Sequence, residues 1–165
     1  MKLATRLVLL AALAGLGYWL WTLFFPNPEK VVLARVARLA AVATIKPSDG
    51  ALTRANKVSD LIGFFATDAE IHFETMGQSV RTLTGREEIR EVAAGGFASA
   101  NSLSVQFQDA TARVGADQRT AVVNCTARVS AGDKTDFGLQ ELRISLQWVD
   151  SHWLVTRMET VRTLQ

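Results

Sequence analysis

Leu139–Val149 reads LQELRISLQWV, Asp150-Ser151 follows, and Trp153–Val161 reads WLVTRMETV. Leu142, Ile144, Leu146 and Trp148 alternate with Glu141 and Arg143 and their polar successors. A period of two sends successive side chains to opposite faces, so this is a strand with one apolar face. A second such run after two turn residues predicts an antiparallel hairpin bent at Asp150-Ser151. The pattern extends upstream. Leu103, Val105 and Phe107 alternate with Ser104, Gln106 and Gln108, Gly115-Ala116-Asp117 is a turn, and Thr120–Val129 is rich in β-branched residues. Ala131-Gly132-Asp133 turns again. Long strands joined by short turns imply an antiparallel meander.

Ahead of the meander the period changes. Thr84-Gly85-Arg86-Glu87 reads as a capping box opening a helix, with Ile89, Val92, Ala93, Gly96 and Phe97 on its buried stripe. Gly95-Gly96 weakens its last turns. Ala69–Thr75 alternates, with Ile71 and Phe73 opposite Glu70, His72 and Glu74; Met76-Gly77-Gln78 turns it into a return strand over Ser79–Leu83. Asn27-Pro28-Glu29 starts a helix over 28–45, with Val32, Val36, Leu39, Ala40 and Ala43 inside. Ser48 or Asp49 caps a second helix, whose stripe Leu52, Ala55, Val58, Ile62, Phe65 predicts an end near Ala66–Asp68.

Residues 1–6 form a short tail, and Leu7–Phe25 is 19 residues without a charge. At about 1.5 Å per residue such a helix spans about 28 Å, close to a hydrocarbon core. Tyr18, Trp19, Trp21, Phe24 and Phe25 crowd its far end, as rings at a membrane interface do. Ala12-Leu13-Ala14 also fits a signal-peptidase site, but cutting there would leave an apolar aromatic stub on the mature chain. The favoured reading is an uncleaved single-pass anchor over 7–25. Lys2 and Arg6 keep the tail inside, so the domain is expected outside the cytoplasm, in a bacterium the periplasm. Lys30, Arg35 and Arg38 pull the other way.

The chain carries 18 bases and 16 acids. Lys2 and Arg6 supply the whole excess, so the domain is neutral and nucleic acid is excluded as a partner. Lys30, Arg35, Arg38, Lys46, Arg54 and Lys57 face a single acid, Asp49, over residues 30–57. They either draw the domain to anionic headgroups or form the solvated faces of two amphipathic helices. The single cysteine, Cys125, lies in an apolar alternating run and reads as a buried, inert thiol. Asn124-Cys125-Thr126 matches a glycosylation acceptor by chance, in mid-strand. Two histidines and one cysteine lack ligand spacing, so no metal and no cofactor are expected.

Two helices, a hairpin, a third helix and a four-strand meander form a specific order. With the Gly85-Arg86-Glu87-Glu88-Ile89 helix opening and the Ser151-His152-Trp153-Leu154-Val155 strand, residues 28–164 resemble the nuclear transport factor 2-like superfamily in its SnoaL-like branch. The resemblance implies one α+β domain over 28–165. Its curved, mostly antiparallel sheet would be rolled into a cone under three helices, its pocket at the mouth, its outer face free for a homodimer. Phe65, Phe73, Phe97, Phe107, Trp148 and Trp153 are the expected pocket walls. Isomerases and dehydratases of that superfamily rely on pocket tyrosines, whereas the only tyrosine here, Tyr18, falls in the anchor.

Acid–base candidates are His72 with Glu74 and Glu70, and Glu141 with Arg143, Arg157 and Glu159. Either set belongs to a pocket, or it is a solvated strand face crossed by ion pairs. Asp60 points into the cone or to water. His152 reads as a surface residue beside the turn. The expected function is a membrane-tethered binding or assembly module for a small apolar ligand, without catalysis. The alternative is a SnoaL-like isomerase, cyclase or hydrolase acting on a lipophilic molecule.

Overall fold

The computed structural model describes residues 15, 27–73, 81–132 and 138–161. The 7–25 segment, Glu74 and the Met76-Gly77-Gln78 turn lie outside them. No helix among the described residues is long and apolar enough to cross a membrane.

The elements are α1 (Pro28–Ala43), α2 (Ala51–Ile62), β1 (Phe65–Phe73), β2 (Arg81–Thr84), α3 (Gly85–Ser99), β3 (Leu103–Val114), β4 (Thr120–Ala131), β5 (Gly138–Val149) and β6 (His152–Thr160). The six strands form one sheet in the order β2-β1-β6-β5-β4-β3. The meander is antiparallel throughout, and β1 completes the sheet by lying parallel to β6 and antiparallel to β2. Register shifts fall at Phe65/Glu70, Gln108/Thr111 and Ser145/Leu146. Such bulges raise local twist and bend their strands, which curves the sheet. Asp150 and Ser151 both adopt positive φ, 47° and 64°, the mirror-image turn that suits a two-residue hairpin. At Gly115 a Cβ would meet Thr120 Oγ1 at 2.5 Å and Asp117 Oδ1 at 2.8 Å, so any side chain there would displace the Asp117–Thr120 hydrogen bonds of the turn.

One sheet face is covered. Val32, Val36 and Leu39 of α1, Val58, Leu61 and Ile62 of α2, and Ile89 and Phe97 of α3 pack with Ala69, Val123, Ile144, Leu146, Trp153 and Val155 of the sheet. Ile144, Val123 and Val32 are completely inaccessible.

Boundaries depart from expectation where tertiary contacts outbid local pattern. The first helix stops at Ala43, because Thr44 is extended and Ile45 pairs with Leu103 as an isolated bridge. The second helix stops at Ile62: the Phe64 carbonyl accepts from Val155 N–H, and Phe65 opens β1 instead of closing a helical stripe. Leu52, expected inside, is 76% exposed. Gly50 caps α2 without a side-chain hydrogen bond. The expected cap Asp49 instead accepts from Lys46 N–H at 2.9 Å and from Lys57 Nζ at 2.6 Å. Only half of the capping box forms: the Thr84 side chain makes no cap hydrogen bond, Gly85 has φ +82°, and Glu88, not Glu87, accepts from Thr84 N–H at 2.7 Å. Asn27 caps α1 as read, accepting from Glu29 N–H at 2.9 Å.

The Lys57 and Lys46 hydrogen bonds hold the Asp49 carboxyl below its ordinary range. A folded value below the unfolded one contributes stability above the unfolded pKa of about 4, and that contribution is lost as pH falls through the folded value. Asp49→Asn is therefore expected to lower stability at neutral pH and to flatten the acid limb below about pH 4. Urea midpoints measured from pH 7 to pH 3 test this; parallel curves for both proteins would refute it.

Candidate functional site

The register sorts the charged candidates onto the open face, opposite the helices. Glu70, His72, Arg143, Arg157 and Glu159 all alternate with core residues of their strands. His72 Nε2 lies 3.0 Å from Glu70 Oε2, and Nδ1 lies 3.0 Å from Thr82 Oγ1. Arg157 Nη1 is 3.8 Å from the same Glu70 oxygen, and Arg157 Nε donates to Glu159 Oε2 at 3.1 Å. Glu159 Oε1 is 3.5 Å from Arg143 Nη1, and Arg143 Nε reaches Asn124 Oδ1 at 3.5 Å. The chain of contacts runs across β2, β1, β6, β5 and β4. Its side chains are a quarter to a half exposed, so each pair contributes only about 0–1 kcal/mol. This is a cross-strand ladder. The pocket placement weighed for Arg143, Arg157 and Glu159 gives way to it, because the strand alternation that buries Ile144 and Met158 turns these residues outward. Glu141 is exposed on the same face, opposite Thr126.

The helix-covered face is filled by apolar side chains. Phe65 and Trp153 are buried there, and Phe73 and Phe107 pack partly buried against the same core. Trp148, expected in a wall, is 39% exposed and meets Trp153 edge-on at 5.4 Å between centroids. It stands at the last turn of the hairpin, beyond the helix cover. Phe97 lines a hollow of about 370 Å³ between α2 and α3, beside Arg54, Val58 and several alanines.

The largest cavity described, about 590 Å³, opens where the β5–β6 turn meets the end of α2 and the start of α3. Val42, Phe64, Val149 and Leu154 give it apolar wall; Arg35, Arg86, Asp60, Asp150 and His152 give it polar edge. Asp60 is thus exposed at a rim, neither buried nor remote. His152 is exposed as expected, and its Nδ1 donates to the Asp150 carbonyl at 2.7 Å. The two arginines were missed as site residues. Arg35 sits three residues after Val32 and four before Leu39, on the edge of the buried stripe, and that spacing was the available signal. Its Nε donates to Trp153 O at 3.0 Å, its Nη2 to Gly63 O at 3.1 Å, and its guanidinium lies 4.0 Å from the Phe64 ring centroid. Burial, with a push from Arg38, lowers its pKa from the ordinary arginine value. Arg86 Nε donates to Phe65 O at 2.7 Å.

The basic run after residue 30 divides likewise. Arg35, Arg54 and Lys57 are spent on backbone carbonyls, which leaves Lys30, Arg38 and Lys46 as its exposed members.

Cys125 is buried on the core face of β4, and burial pushes its thiol up to about 11. Only a thiolate attacks, so a maleimide at pH 8 is expected to leave the native chain unlabelled over minutes and to label it fully in urea. Rapid native labelling would refute this placement. Among the described residues no cluster of three metal-ligating side chains occurs.

No family profile and no curated protein matches the sequence. Solved structures do. A nuclear transport factor 2-like protein with a cystatin-like fold from Novosphingobium aromaticivorans aligns with TM-score 0.60 at 19% identity, over 96% of this chain and 86% of that one. A nuclear transport factor 2-like protein of unknown function from Pseudomonas putida gives TM-score 0.62 at 11% identity, over 83% and 87%. A protein provisionally named a scytalone dehydratase, also from N. aromaticivorans, gives TM-score 0.60 at 14% identity, over 82% and 83%. At these identities the likeness fixes the fold.

Proposed function

We propose that this nuclear transport factor 2-like fold works as a membrane-tethered module without catalysis. It takes a small apolar molecule into the cavity at the Asp150-Ser151 turn and offers its open sheet face to a second copy or another protein. The observation that carries this reading is the separation of chemistry from enclosure. Glu70, His72, Arg143, Arg157 and Glu159 lie on the open face and pair with one another, while the core under the helices is apolar. Pockets with an apolar wall and a few polar groups are the usual small-molecule sites. The uncharged 7–25 run supports the tether, and Lys2 and Arg6 support a periplasmic domain.

Alkaline carbonate extraction of membranes from a bacterium expressing the full chain tests the tether. The chain should stay in the pellet and a variant lacking residues 7–25 should not; release of the full chain would end this part of the proposal. Protease added to spheroplasts should digest the domain, and protection would place it in the cytoplasm.

The isomerase, cyclase or hydrolase reading keeps one specific observation, the His72 ring held on both nitrogens by Glu70 and Thr82. It needs a second copy to enclose that face. A monomer by light scattering would remove it.

A further inference from the structure

We propose that the cavity of about 590 Å³ binds a monoanion carried on an apolar body, through the guanidinium groups of Arg35 and Arg86. The inference rests on reading that cavity as the binding site.

Both arginines line the cavity, and both are anchored by neutral acceptors. Arg35 uses Nε and Nη2 on the Trp153 and Gly63 carbonyls, and Arg86 uses Nε on the Phe65 carbonyl. A carbonyl fixes a guanidinium without cancelling its charge. Among the described residues no carboxylate lies within 4.0 Å of either group. Other cations are paired, Arg90 with Glu87, Lys57 with Asp49, Arg143 and Arg157 with Glu159, whereas Arg54 is held by carbonyls as these two are. The anchoring carbonyls of residues 63 and 65 are two positions apart, and two cations without a contact ion pair line one depression. Arg86 keeps both Nη groups, and Arg35 keeps Nη1, without a partner among the described residues. A planar fork of N–H donors fits a carboxylate or phosphodiester.

The rest of the lining limits the ligand. Val42 and Leu154 favour an apolar body. Asp60 and Asp150 stand on the same lining, so a ligand with several negative charges meets two carboxylates as well as two arginines. One charge suits the site better than two.

The test uses the full chain in phosphatidylcholine nanodiscs, with 2-naphthoate, its neutral methyl ester and 2-naphthyl phosphate titrated by ligand-observed NMR against empty discs. A hydrogen-bonded charge should favour the acid over the ester by roughly tenfold or more, with the phosphate dianion weaker than the acid. Arg86→Met should remove most of the acid's advantage over the ester. Equal binding of acid and ester by the unsubstituted chain would overturn the charge inference, whatever the variant does, and leave the cavity reading standing. Binding of none of the three would overturn both. Discs containing phosphatidylglycerol identify the source: unchanged naphthoate affinity points to a free acid, competition to a lipid phosphodiester, and either is the proposed monoanion.

Discussion

Trp153→Ala is expected to cost about 3–5 kcal/mol, the range for truncating a buried aromatic in a packed core. Trp153 is 5% exposed, one residue inside β6, and belongs to the cluster that joins all three helices to the sheet. Three losses coincide there. The indole's transfer energy goes first, then the contacts of the cavity it leaves, then the edge-on pairing with Trp148, itself about 0.5–1.5 kcal/mol. The backbone carbonyl that holds Arg35 survives the substitution but loses its rigid setting. Domains of this size have a total stability of about 5–15 kcal/mol, so the variant should lie near the edge of folding. Thermal unfolding should fall by roughly 6–20 °C. Trp148→Ala is the control: at 39% exposure it should lose about 1 kcal/mol, mostly the ring pair. Equal losses for the two variants would mean that Trp153 is not the anchor of this core.

The hairpin that contains both tryptophans was the most legible part of the chain, and the reason is physical. A strand with one face on a core repeats every two residues, and the period of Leu142, Ile144 and Leu146 has no helical equivalent. Asp150-Ser151 is readable as a turn, because only three polar residues, Asp150, Ser151 and His152, separate the runs. The same periodicity could not say which face a ladder would occupy. Glu141, Arg143, Arg157 and Glu159 were known to oppose the apolar set, but only the placement of the helices decides which side is enclosed. The second helix failed for the opposite reason. Phe65 continues its period well enough, yet β6 offers Phe64 and Phe65 a backbone partner in Val155, and the sheet takes them. Stripe spacing marks the edge position of Arg35, but the site that it forms with Arg86 depends on carbonyls more than twenty residues away.

The second large effect concerns such a long-range contact. Arg54→Met is expected to cost about 2–4 kcal/mol, because hydrogen bonds to a charged group are each worth about 1.5–3 kcal/mol and do not add fully. Arg54 Nε donates to Asp49 O at 2.9 Å, and Nη1 donates to Phe97 O at 2.9 Å and Ala100 O at 2.7 Å. Its guanidinium therefore caps the C-terminal end of α3 from another helix. That end needs help. The last carbonyls of any helix lack intrahelical partners, and α3 has no basic residue in its own last turn. Gly95 and Gly96 weaken the same turns by about 1 kcal/mol each relative to alanine. Methionine keeps an apolar stem over the hollow between α2 and α3, so the loss isolates the donors. Lysine keeps the charge without the fork and should recover less than half of the loss, since one ammonium does not span the Asp49 carbonyl and those at the end of α3. Hydrogen exchange gives the specific signature: the Ala100 amide, which donates to Gly96 O at 3.0 Å, should exchange at a rate set by local fraying, while the Ile144 amide tracks global unfolding. A variant that loses stability with no selective fraying near Ala100 would show that Arg54 acts through general packing and not as a cap.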